Sequence, residues 1–193
     1  MEAASLALRR VELDSALSWH ARLVSDPARI RFAILAAGTL GEPSLLPWLI
    51  SLMDQFPLAR LAGESFTMIT GADLAYRDLE QKPPEDFNAG PTEDPADDNV
   101  EMDPDENLPW PDPALVQQWW DANRGRFQNG TRYLLGNPIT DDWLRIVLRD
   151  GRQRQRAAAA LEIALRNPGQ PLFNVKAPGF RQQQLLGKSE VIR

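Results

Sequence analysis

The run Asp103-Pro-Asp105-Glu-Asn107 opens as a calcium loop opens, with oxygen-bearing side chains at alternate positions. The rest of such a loop is missing: Leu108 stands where the sharp turn needs glycine, and Ala114 where a bidentate glutamate belongs. Weak cation binding by clustered carboxylates is the most this spacing supports, and no metal ligand is assigned. His20 is the single histidine of the chain, and neither Asp14 nor Asp26 stands at a spacing that fixes an acid–base pair with it. A half-buried structural role is the expectation for it. There is no cysteine, which excludes disulfides, thiolate nucleophiles and thiolate metal sites together. Asn129-Gly130-Thr131 has the form of a glycosylation acceptor but, without a secretory leader, reads as a turn. No catalytic and no cofactor-binding residue emerges.

Two charge features remain. Arg145, Arg149, Arg152, Arg154, Arg156 and Arg166 crowd the C-terminal part, where a nucleic-acid binder would want a basic patch with aromatic rings beside it. The net charge of −6 and the lack of a groove-reading motif argue instead for solvated helix faces. Between Asp78 and Asp112 there are 13 acids against one base, Lys82. That stretch either docks on the chain's own basic helices, offers itself to a basic partner, or is a solvated acidic loop.

The elements that must position these groups are helices. From Ile30 the apolar residues Phe32, Ala33, Ala36, Ala37 and Leu40 fall on one helical stripe, started by Asp26-Pro27 and ended by Gly41. Pro43 restarts a helix carrying Leu45, Leu46, Leu49, Leu52 and Met53, with Asp54 to Pro57 as the break. Leu58, Leu61, Ala62, Ser65, Phe66 and Ile69 make a third stripe that ends at Gly71. Arg31-Phe32-Ala33 and Arg60-Leu61-Ala62 occupy equivalent places 29 residues apart, each soon after a proline and before a small-residue seam, which is an internal repeat. Residues 3 to 24 read as one long helix or two short ones.

From Ala72 to Pro113 the periodicity stops and prolines punctuate the chain, although Leu74, Tyr76, Leu79, Phe87, Leu108 and Trp110 are too apolar for a plain linker. Both ends of this excursion are expected to be pinned to the helices, its middle, 91–107, being mobile or electrostatically docked. Ala114 to Phe127 reads as a helix, and NGTRYLLGNPIT as a connection rich in turn signals. Thr140 or Asp141 caps the helix DDWLRIVLRD, and RQRQRAAAALEIALRNPG follows as its partner. The tail, with prolines at 171 and 178, is expected to wrap the helices in extended form.

The pattern GEPSLLPWLISLMD followed by ARLAGESFTMITG resembles HEAT repeats. The wider combination of LAGESFTMITGADL, the acidic excursion, LPWPDP, the Trp-Trp helix ending NRGRF, GTRYLLGNPIT and RQRAAAALEIALRNP resembles an uncharacterised family of bacterial HEAT-repeat proteins. The resemblance implies an all-α fold, an α-α superhelix of HEAT-like helix pairs with a long acidic, proline-rich insertion. Its parts are 1–71, HEAT-like repeats; 72–113, the excursion packed at its ends; and 114–193, further helices with another HEAT-like pair and an extended tail. It also implies a chain about half the length of such proteins and an adaptor role, some members being encoded among type VI secretion components.

The function expected is therefore a cytoplasmic protein–protein scaffold without catalysis or cofactor. The alternatives are a nucleic-acid binder using the C-terminal arginines and a carboxylate-dependent enzyme. Candidate partner-binding residues are the aromatics least explained by the stripes, Trp110, Trp119, Trp120 and Tyr133, with Arg124, Arg126 and Arg132 around them. The expected partner is another protein, with neither nucleic acid nor membrane, and an uncovered N-terminal helix face invites self-association.

Overall fold

The computed structural model describes residues 2–85, 87, 96, 98 and 102–190. The expectation of a mobile or docked middle for the excursion therefore falls, up to residue 101, almost wholly outside the described residues. Among the described residues the chain is mostly helical, with one two-stranded hairpin. The helices are α1 (Glu2–Arg10), α2 (Leu13–Val24), α3 (Ile30–Leu40), α4 (Leu46–Ser51), α5 (Phe56–Thr70), α6 (Pro113–Asn123), α7 (Asp141–Asp150), α8 (Gln153–Arg166) and α9 (Gly179–Glu190).

Local chemistry accounts for most boundaries. The Asp26 carboxylate accepts from the Ala28 N–H at 3.1 Å, starting a short 3₁₀ turn that feeds α3. Gly41 and Gly71 end α3 and α5 in the left-handed region, both at φ 71°, which only glycine adopts at no steric cost. Thr140 caps α7 by accepting from the Trp143 N–H. Helix α4 is shorter than its apolar stripe suggests, because Leu52 and Met53 lie in the turn before α5 while remaining buried.

The principal packing is α3 along α5, with α2 and α1 against α3 and α4 against α5. Gly38 allows the close approach: a Cβ there would stand 3.0 Å from the Ser65 hydroxyl, which itself donates to the Ile34 carbonyl. This block holds the larger core, around Ile34, Leu46, Leu49, Phe66 and Ile69, with Val116 and Trp120 of α6 added to it. Helices α7 and α8 pack on each other around Leu144, Val147, Leu148 and Ala159, a second core.

Two elements depart from the sequence reading. GTRYLLGNPIT is more than a connection, since Tyr133–Leu134 (β1) pairs antiparallel with Asn137–Pro138 (β2). Its turn places Leu135 at φ 51° and Gly136 at φ 82°, the left-handed pair that a tight hairpin demands. The tail is only partly extended: Gly179–Glu190 is helical, seated by Gln182, whose amide donates to the Val175 and Ala177 carbonyls and accepts from Arg156.

Candidate functional site

The seven residues chosen from sequence do not form one exposed surface. Trp110, Trp120 and Tyr133 are buried, and Trp119 is half-buried, its ring edge-on to Phe66 at 5.7 Å. The Trp120, Phe127 and Tyr133 rings stack in series, and the Tyr133 hydroxyl accepts from the Gln128 N–H. Arg132 is a structural cation: it donates to the Leu40 and Thr39 carbonyls at the end of α3, to the Arg9 carbonyl, and to Glu162 at 2.6 Å. Of the seven, Arg124 and Arg126 alone are exposed, and Arg126 leans back on Asn123. Trp110 packs edge-on to Phe56 and Phe87, so each of the four aromatics is taken up by contacts within the chain.

Glu162, 2% exposed, sits between Arg9 (2.7 Å) and Arg132, joining α1, α3, the hairpin and α8. Burial pushes the Arg9 guanidinium below its ordinary pKa, with Glu162 pulling it back and the nearby Arg132 charge adding to the depression. Glu42, also buried, accepts from the Gly130 N–H and pins the loop before β1.

The excursion docks on the N-terminal ends of α3 and α5. Its neck is held by Gln81 N–H to the Trp110 carbonyl and Asp112 N–H to the Leu79 carbonyl, both close to the Glu80–Pro111 bridge. Beyond the neck, Asp103 binds Arg60 at 2.5 Å, and the Asp105 carboxylate binds Arg31 at 2.8 Å while its carbonyl takes a second Arg60 donor. The Arg60 guanidinium lies 4.7 Å from the Trp110 ring and 5.1 Å from Phe87. Burial raises the Asp103 pKa, but the Asp105 N–H, Arg60 and Arg31 together outweigh it, and the carboxyl is held below its usual range. The two acids that open like a calcium loop are thus committed to arginines.

The C-terminal arginines are matched in the same way. Arg145 pairs with Asp142, Arg149 with Asp150, Arg152 with Asp73, Arg154 with Glu64 and Arg166 with Asp141, while Arg156 donates to the Leu148 carbonyl. Glu64 is half-buried, and desolvation raises its pKa against the pull of Arg154 and Arg152.

The surface that stands out was not among the seven. Among the six tryptophans Trp19 is the exposed one, at 41%, and it lines a groove of about 330 Å³ with Leu8, Leu23 and Phe32. Arg22 and Arg29 sit at this groove, the latter paired with Asp26 at 3.0 Å. Trp19 precedes His20, which with Ala16 forms the buried face of α2, so it is turned about 100° away from the packed face. That offset is the signal in the sequence that marks it. His20 itself is buried edge-on to Trp48 at 4.8 Å, and burial lowers its pKa against a backbone hydrogen bond with Ala33.

No family model, no curated protein and no solved structure matches the chain. Among the described residues no helix is long and apolar enough to cross a membrane.

Proposed function

We propose that the chain is a protein-binding scaffold of HEAT-like character that works without catalysis, its docking surface being the Trp19 groove on α1, α2 and α3. The observation that carries this reading is the exposed Trp19 in an apolar groove edged by Arg22 and Arg29, while the other tryptophans are buried or packed against a core. A large amphipathic ring in a partly desolvated hollow is the residue type that anchors protein interfaces. The occupant that fits is an amphipathic helix of a partner protein, with apolar side chains in the hollow and carboxylates opposite the two arginines. The sequence resemblance to bacterial HEAT-repeat proteins, some encoded among type VI secretion components, supports an accessory role in such an assembly.

The test is affinity capture from host lysate by the wild-type chain and by Trp19→Ala and Arg22→Glu variants of unchanged circular dichroism. One defined protein retained by the wild type and lost from both variants is the expected result. Equal retention by all three chains would move the surface elsewhere. Recovery of nucleic acid alone, with heparin retention that falls as salt rises, would replace the reading. A wild-type chain that sediments as a dimer, with Trp19→Ala monomeric, would make the occupant a second copy.

A further inference from the structure

Arg31 and Arg60 stand at matching places near the starts of α3 and α5, and both are engaged by one short segment, Asp103-Pro-Asp105. The segment holds its own shape, since the Asp103 carboxylate accepts from the Asp105 N–H at 2.9 Å and the Leu108 N–H bonds to the Asp105 carbonyl. It behaves as a ligand carried by the chain it binds. Its fit is incomplete, because the Arg60 Nε is buried without a hydrogen-bond partner among the described residues, although the residue is only 6% exposed. A buried guanidinium donor left unmet costs its desolvation, and a carboxylate able to take Nε and Nη2 together would recover it.

We infer that the Arg31–Arg60 face is a receptor for an acidic Asp-x-Asp segment of a partner protein, occupied in the resting chain by its own strap. The site is separate from the Trp19 groove and stands or falls independently of it. The chemistry it selects is set by what is already seated: two carboxylates two residues apart along the chain, facing two arginines, with the Trp110 ring closing over Arg60 at 4.7 Å. The neck at Leu79–Gln81 and Trp110–Asp112 holds the ends of the excursion in place, so 103–107 can leave while Trp110 stays over the vacated arginine. A tethered strap competes at an effective concentration on the order of millimolar, so a partner segment meets a receptor that is closed to weak or monovalent acids.

The probe is a labelled peptide with the sequence of residues 102–108, MDPDENL, followed by fluorescence anisotropy on the full chain. Asp103→Asn/Asp105→Asn disarms the strap, and this variant should bind the peptide at least about ten-fold more tightly than the wild type does. Adding Arg31→Gln, at a side chain 42% exposed, should abolish that gain, as should a peptide with asparagine at both acids. If the double variant does not fold, Asp105→Asn alone leaves the Arg60–Asp103 pair in place and should give an intermediate gain. A folded, disarmed chain that binds no better than the wild type, or binds both peptides equally, overturns the proposal. So does a disarmed chain that dimerises with the wild type, since the receptor would then belong to a second copy.

Discussion

At Glu162 a single carboxylate satisfies two arginines that come from distant parts of the chain, Arg9 and Arg132. Removing one partner from a buried ion cluster strands the remaining charges in low dielectric, at a cost of about 3–5 kcal/mol. Glu162→Ala is therefore expected to lower the urea midpoint sharply, and Glu162→Gln, which can still accept, by less. A Glu162→Ala chain as stable as the wild type would mean that Arg9 and Arg132 find other acceptors. His20 gives a pH signature. Its folded pKa lies below the ordinary value, so the unfolded chain binds its proton first, and the stability His20 contributes when neutral is lost as pH falls below about 6.5. His20→Leu should flatten the fall in melting temperature between pH 7 and pH 5, and an unchanged slope would assign the effect to other groups. The sequence marked His20 as structural because neither Asp14 nor Asp26 stands at a spacing that fixes an acid–base pair with it. It could not show that Arg132 belongs with Glu162 and Arg9, because pairing across 30 and 153 residues leaves no local trace.

Helices were the legible elements, since Pro27, Gly41, Pro43, Pro57 and Gly71 punctuate stripes of period 3.6 that bury one face each. The hairpin was not, because it is held by backbone rather than by side-chain pattern: Tyr133 N–H bonds to the Gly41 carbonyl, and Leu135 and Gly136 N–H bond to the Met68 and Ile69 carbonyls. It clasps the C-terminal ends of α3 and α5, while the excursion clasps their N-terminal ends through Arg31 and Arg60. Helix α9 escaped for a related reason, being fixed by the polar Gln182 while Phe180 and Leu185 stay exposed. The clasp makes a prediction about glycine. A Cβ on Gly41 would come to 2.1 Å from the Tyr133 carbonyl oxygen, and one on Gly71 to 2.6 Å from that of Leu135, whereas one on Gly130, at φ 81°, meets nothing. Gly130→Ala should cost about 1 kcal/mol of left-handed strain, and Gly41→Ala and Gly71→Ala clearly more because the hairpin must lift. Equal losses in thermal melts would show that the contact contributes nothing beyond conformation.

On the scale of the molecule, two cores meet at the hairpin, and they meet through alternation: Tyr133 packs into the α3–α5 core and its neighbour Leu134 into the α7–α8 core. Among the described residues the blocks are also bridged by the Glu162 cluster, by pairs of an exposed arginine with a half-buried carboxylate, Arg154–Glu64 and Arg152–Asp73, and by the Met68 side chain against the second core. Pairs with a solvent-exposed partner are worth about 1 kcal/mol or less each, so coupling between the blocks rests on the hairpin, the packing of α1 on α8 and the buried carboxylate. Leu134→Ala removes a side chain shared with the second core and should cost about 2–5 kcal/mol. The loss should not be uniform. Amide hydrogen exchange is expected to show α7 and α8 opening at markedly lower free energy than α3 and α5 in this variant, while the wild type opens both at nearly the same level. Uniform weakening would mean that the two cores fold as one body whatever joins them.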